Sequence, residues 1–479
     1  MTNATSAPSD GLSAPGLRSA LLAACVAQFL LPFMVGGLTP LLPALGKDLN
    51  ASAMHLGLVG AVYALSLAVF HLLAGRIGDI IGRRRLFLTG IGLFVAMSTA
   101  LPFSPSITVF LALRFMQAVG TACMNTSVLA ILVACAPPAI RGRVLGISSI
   151  GIFAGISCGP PIGGFIATQL SWHWLFWMML PLGLVALCLV AFNIRNEWVH
   201  AADAPFDWVG AFCWLFAMSG LACGATWILA GPWAWGLLAF GALSLGVFLL
   251  AEQRTAKKGR CPVLDMEIVF HNRPFLLNSA ISFICNCTIL GEVFLLGLYA
   301  QFGQGLTMQQ AGFMLSIQPV IQLVLAPVAG RLADRCGAAK VAAGGVFVCG
   351  MGMLAASFLD MGSPVIHTAA CLVVVGSGLA FFGAPNTSAV FGSVDEAHLS
   401  QASGVVGTVR TMGMLASMVI VSLSMNAFLG SEAAGPHNAR QFLAAMHTDF
   451  TVFSLLAATA LLLSALLLWR YPAKPNASR

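Results

Sequence analysis

Charge is what this sequence has least of. Only 8% of its 479 residues are Asp, Glu, Lys or Arg, against about 25% in a soluble globular chain, so a water-soluble fold would have almost nothing to place on its surface. Residue patterns that carry chemistry are missing as well: there is no CxxC pair, no HxxxH pair, no Walker loop and no metal-spaced cluster. An ATP-driven pump or a membrane enzyme is thereby disfavoured, and no cofactor or metal is expected. The first fifteen residues have no basic stretch of the signal-peptide kind and read as a short uncleaved tail. The ten-residue alternation of a membrane β-barrel is absent too.

What the sequence does have is apolar length. It is 59% hydrophobic, and its runs reach the roughly 20 residues that a helix needs to cross a ~30 Å hydrocarbon core. Helices are then the remaining way to satisfy the backbone in lipid. Hydropathy read against Gly, Pro and charge places them near 17–42, 54–74, 86–103, 107–136, 144–170, 174–194, 208–230, 234–251, 275–302, 311–332, 341–359, 365–390, 402–429 and 450–469. The thirteen cysteines lie mostly inside these runs, as small packing residues do. The expectation is an all-α polytopic membrane protein with fourteen transmembrane helices in a lipid bilayer.

Orientation follows from the basic residues, which cytoplasmic loops retain. With the N-terminus inside, nineteen of the 23 Lys and Arg fall on the cytoplasmic side, Lys47 and Arg440 fall outside, and Arg114 and Arg410 fall within helices. The same scatter argues against nucleic acid as a partner despite the net charge of +7. An internal repeat adds organisation: Gly75-Arg76-Ile77-Gly78-Asp79-Ile80-Ile81-Gly82 returns as Gly330-Arg331-Leu332-Ala333-Asp334-Arg335-Cys336-Gly337, each copy closing the second helix of a half. Parallel repeats of this kind enclose a midplane site between two halves. The expected divisions are a tail at 1–16, a six-helix half at 17–195, a linker with two additional helices at 196–273, a second six-helix half at 274–470 and a tail at 471–479.

The loop after helix two, with Gly75, Asp79, Gly82, Arg83 and Arg84, resembles the signature of the major facilitator superfamily. In that family the loop and its acid form a cytoplasmic latch between the halves, so the resemblance implies a conformational gate here, repeated at Gly330 and Asp334. Helix five carries Gly155, Gly159 and Gly163 every fourth residue, with Pro160, Pro161 and Gly164 among them. The spacing puts three glycines on one face, where a neighbouring backbone can approach closely. The whole string is similar to the antiporter motif of the superfamily's exporters, which implies export.

Arg114 in helix four stands in a segment similar to the family's helix-four motif, whose Arg is implicated in proton coupling; an arginine at that depth normally marks a polar path. Ser403-Gly404 and Thr408-Val409-Arg410, Ser171 to Phe176, and Pro262 to Asp265 resemble segments of the fourteen-helix drug:proton antiporter family, with Arg410 placed toward the cytoplasmic end of its helix. Met34 stands where that family commonly has a helix-one Asp. Glu292 is then the one remaining acid expected inside a helix, and a carboxyl in an apolar site can exchange a proton near neutral pH. Asn125, Asn278, Asn286, Gln318, Gln322 and Asn386 could line a polar cavity or simply bond helix to helix. His55, His71, His173, His200 and His271 fall near expected helix ends.

The sequence therefore reads as a secondary exporter of the inner membrane, with both termini cytoplasmic. It would act as a monomer and move amphipathic or cationic organic compounds against protons. An exporter of one small metabolite is the alternative, and a transport-inactive scaffold or sensor a more distant one.

Overall fold

The computed structural model describes residues 15–199, 206–229, 231–257, 262–265, 272–430 and 438–471. The expected tails and His200 and His271 lie outside them, as does most of the basic stretch after residue 257. Fourteen membrane-length helices are present among the described residues: α1 Gly16–Asp48, α2 His55–Ile81, α3 Arg83–Phe103, α4 Ile107–Cys135, α5 Pro138–Gln169, α6 His173–Asn193, α7 Trp208–Thr226, α8 Pro232–Thr255, α9 Arg273–Phe302, α10 Gln309–Cys336, α11 Ala338–Ala356, α12 Val365–Gly392, α13 Glu396–Leu429 and α14 Ala439–Arg470.

Local chemistry sets several starts. Ser52, Ser106, Asp207 and Asn272 accept hydrogen bonds from the first turns of α2, α4, α7 and α9, satisfying amide groups that a helix start leaves orphaned. At the two repeat copies one glycine does the whole turn: Gly82 (φ 102°) joins α2 to α3, and Gly337 (φ 98°) joins α10 to α11. That region of backbone space is costly for any residue with a side chain.

Packing sorts the helices into two bundles and a pair. α1 lies on α5, α4 and α6, with α3 on α4; α9 lies on α13 and α14, with α12 between α10 and α11. The bundles join through α2 with α13 and α5 with α10, supported by α4 with α13 and α5 with α12. α7 and α8 pair with each other, and α7 rests on α2 and α13, where the Trp214 indole donates to the Val69 carbonyl at 2.9 Å. An even number of spans puts both ends of the chain on one face, called here the terminal face.

Three boundary shifts matter for function. α2 runs to Ile81 rather than 74, so His71 is well inside it and buried. α8 continues past residue 251 and brings in Glu252; α14 starts at Ala439 rather than 450 and brings in Asp449. Both acids are fully buried, so Glu292 is not the sole interior acid.

Candidate functional site

At the terminal face the second half reaches across to cap a helix of the first. Asp334 accepts hydrogen bonds from the Gly142 and Arg143 amides, each at 2.7 Å, one to each carboxylate oxygen. These are first-turn N–H groups of α5, so an anion there both satisfies orphan donors and meets the positive end of the helix dipole. Gly330 makes room by lying against the Gly142 carbonyl. The first copy is built differently. Gly75 lies under Ser400, whose carbonyl oxygen would stand 2.6 Å from an added Cβ, and Asp79 is buried beside Arg83, Arg76, Ser400 and Gln401. Its carboxylate faces the polar side chains of Ser400 and Gln401 as well as the charges of Arg83 and Arg76. Arg83 Nε donates to Ser400 Oγ at 2.8 Å, and Arg84 donates to the Ala191 carbonyl and to Glu197 at 2.9 Å each, tying α3 to the end of α6.

Asp334→Asn should therefore slow transport more than Asp79→Asn. The first change removes a charge-assisted bond from a helix start, and such bonds contribute about 1.5–3 kcal/mol. Initial rates at matched membrane abundance test this. Parental rates in both variants would reduce the two acids to ordinary turn residues.

The helix-five glycines form a seam with α1. Added Cβ atoms at Gly155 and Gly159 would stand 2.6 Å from the Phe29 carbonyl oxygen and 2.8 Å from that of Phe33, and at Gly163 the obstruction is the Gly37 backbone. The Pro160 ring fits over Gly36. Gly164 points elsewhere, into open space, and takes no part in the seam.

Arg114 is buried in the first half between α1, α2 and α4. Its guanidinium donates to Gln117 Oε1 at 2.7 Å, touches Met34 Sδ at 3.2 Å and lies 4.3 Å over the Tyr63 ring. Gln117 extends the chain to Ser98 Oγ at 2.7 Å, and the Tyr63 hydroxyl meets Thr121 Oγ1 at 2.7 Å. No carboxylate pairs with Arg114 among the described residues. Met34 thus occupies the position where an acid would have neutralised it.

Glu292 is 0% exposed inside the second half. Gln318 Nε2 donates to its Oε2 at 3.2 Å, whereas Oε1 has no partner among the described residues. Asp449 accepts from Ser424 Oγ at 2.6 Å. Glu252 Oε2 accepts from the Leu264 amide at 3.2 Å, and the same short segment continues to Asp265, whose amide donates to Gln401 at 3.1 Å and whose carboxylate lies 3.8 Å from His398. Asn125 is half-buried with its Oδ1 unpartnered. Of the expected polar residues, then, Glu292 and Gln318 meet, while Arg114, Arg410 and Asn125 stand apart from them.

The family profile described as Major Facilitator Superfamily matches residues 24–206, 206–418 and 305–479. The chain belongs to that superfamily. Among similar proteins, the riboflavin transporter RibZ of Clostridioides difficile is 26% identical over 371 residues, covering 77% of this chain and 80% of that protein. The tetracenomycin C resistance and export protein of Streptomyces glaucescens is 30% identical over 349 residues, 71% of this chain and 63% of that one. Multidrug resistance protein Stp of Mycobacterium tuberculosis is 27% identical over 411 residues, 83% and 73% respectively. The solved structure of the human organic anion transporter MFSD10 (TETRAN) superposes with a TM-score of 0.66 at 16% identity, over 94% of this chain and 99% of that one. The proton:xylose symporter XylE gives 0.64 at 16%, over 95% of each chain. The fold is thus the major facilitator fold, and the chain is a multi-pass membrane transporter rather than an enzyme.

For a facilitator-superfamily transporter the informative surface is the one between the halves. There Gly404 packs on the His71 carbonyl and Gly407 on the His71 ring, and Ser403 Oγ donates to the Thr126 carbonyl of α4 at 2.8 Å. Arg410 lies further along the same helix, away from the terminal face and near His71. It is eleven residues beyond the helix start at Leu399, about 16 Å deep at 1.5 Å per residue. Snorkelling to the terminal face is excluded at that depth.

Proposed function

We propose that this transporter is a proton-coupled exporter of amphipathic organic compounds in the inner membrane, with both termini cytoplasmic. The observation that carries the direction is the α5–α1 seam, in which Gly155, Gly159, Pro160 and Gly163 meet the backbone of α1. Likeness to an export protein and a multidrug resistance protein supports the same reading. The excess of Lys and Arg on the terminal face supports the orientation. Residues 17–195 and 274–470 act as the two rocking halves and 196–273 as the inserted pair, so a single chain holds a complete path and works as a monomer. Glu292 is the proton-titrating group. The two mid-span carboxylates, Glu292 and Asp449, are enclosed in the second half, so cations are not singled out as substrates. A second reading, transport of one flat metabolite, draws on the likeness to RibZ.

Proteoliposomes of the purified chain with an imposed pH gradient test the proposal. Several amphipathic compounds of a mixed panel should accumulate against their own gradients and stop doing so when a protonophore is added. Movement of riboflavin alone would favour the second reading; absence of any gradient-driven flux would sink both.

A further inference from the structure

The described mid-span region carries four charged groups away from the latches, and three of them are sealed. Each is buried inside its own half: Arg114 in the first, Glu292 and Asp449 in the second. Arg410 is different: it is surrounded by helices and yet keeps accessible surface, as a side chain lining a cavity does.

Helix geometry says which cavity. Arg410 is seven residues beyond Ser403, two turns along the same face of α13, and Ser403 is bonded to α4 of the first half. Gly413 and Ser417, three and seven residues further on, touch α9: Gly413 lies on the Phe283 carbonyl and Ser417 Oγ accepts from the Gly291 amide at 2.8 Å. Arg410 accordingly points between α4 and α9, into the space between the two halves, near the middle of a ~30 Å hydrocarbon layer. On α2, opposite, stand the Leu67 and His71 turns, and His71 is 6% exposed. Arg410 has no hydrogen bond or ion pair with any described residue.

A guanidinium without a counter-charge at that depth costs several kcal/mol by most estimates, which is why such residues usually mark a substrate path. Arg114, sealed in the first half, is a second positive charge that no carboxylate offsets among the described residues. A cationic group entering this space would meet repulsion from Arg410. A carboxylate or comparable oxyanion would instead give Arg410 the planar, two-pronged partner that a guanidinium favours.

We infer that Arg410 anchors an anionic group of the substrate at the midplane, so that the compounds exported are amphipathic organic anions. The inference rests on the exporter reading, but it is tested separately from it, by equilibrium binding without any gradient.

Fluorescein, an anion, and tetramethylrhodamine methyl ester, a cation, share a xanthene ring system. Polarisation of each dye with the purified full chain in nanodiscs should show tighter binding of fluorescein. Arg410→Gln should weaken fluorescein about tenfold or more, the loss expected for a hydrogen bond to a charged group, while the cation binds as before or better. Arg410→Lys should restore part of the difference, which a purely structural role would not do. An unchanged fluorescein affinity in Arg410→Gln, an equal loss for both dyes, a parental preference for the cation, or parental binding of neither dye would overturn the assignment. Failure of the exporter reading would look different: charge-selective binding with no uphill flux of either dye.

Discussion

Glu292→Gln should abolish pH-driven uphill export while leaving downhill exchange of substrate measurable. The side chain is wholly enclosed, and its one hydrogen bond among the described residues comes from Gln318 Nε2. Glutamine retains an acceptor oxygen for that bond and nearly the same volume, so the half should fold as before; what is lost is the ability to take up and release a proton. The partnerless Oε1 is the atom available for the proton, and burial makes the choice of charge state strongly dependent on what else is nearby. In proteoliposomes, gradient-driven flux should fall to the level of empty vesicles, and Glu292→Asp should keep part of it. Asp449→Asn is the informative control, because Asp449 is equally buried but already bonded to Ser424. If Glu292→Gln keeps the parental response to the pH gradient and Asp449→Asn loses it, the proton site is Asp449.

Gly163→Ala should cost far more than the same change at its neighbour, and Gly164→Ala next to nothing. The methyl at 163 would run into the Gly37 backbone of α1, where no flexible side chain can swing aside. Overpacking of this kind costs about 1–3 kcal/mol, and here the relief would be separation of α1 from α5, the seam that the transport cycle must preserve. At 164 the added methyl meets nothing. Gly159→Leu, facing the Phe33 carbonyl, should resemble Gly163→Ala. Thermal stability in detergent and initial transport rates, measured on the same preparations, check both positions. Parental behaviour of Gly163→Ala would mean that α1 and α5 are not held backbone to backbone.

The helix count, the paired latch motif and the glycine face were legible because each is a local pattern. Continuous apolar length reports a span, and a repeat of Gly and Asp at a spacing of 255 residues is visible when its two copies sit in similar loops. The deeper symmetry was not. The contacts of Gly155 with Phe29 and of Gly413 with Phe283 are equivalent, yet the glycines are 258 residues apart and the phenylalanines 254, because the loops between the helices differ in length, and most of the paired residues differ in identity. Hydropathy also ends helices too soon where polar residues are buried. Arg440, Gln441, His447 and Asp449 made the start of α14 look like loop, yet Asp449 finds Ser424 and the helix begins at Ala439. The same error made Glu252 a loop residue and put His71 near an end. Arg410 was legible as an intramembrane arginine, but its depth depended on where α13 starts, and its facing on contacts to α4 and α9 that no single-helix pattern contains.

The accessory pair has a mechanical consequence. Through Trp214 it is fastened to α2, and through the Glu252–Leu264 and Asp265–Gln401 bonds it is fastened to the start of α13. Those two helices belong to opposite halves, and in the proposed rocking cycle they part when the terminal face opens, so α7 and α8 cannot travel with both. No such strap spans α5 and α10, whose junction relies on Asp334 alone among the hydrogen bonds described here. The rocking motion is thus tethered along one edge and free along the other, which gives a molecule of nearly twofold design a preferred side on which to gape.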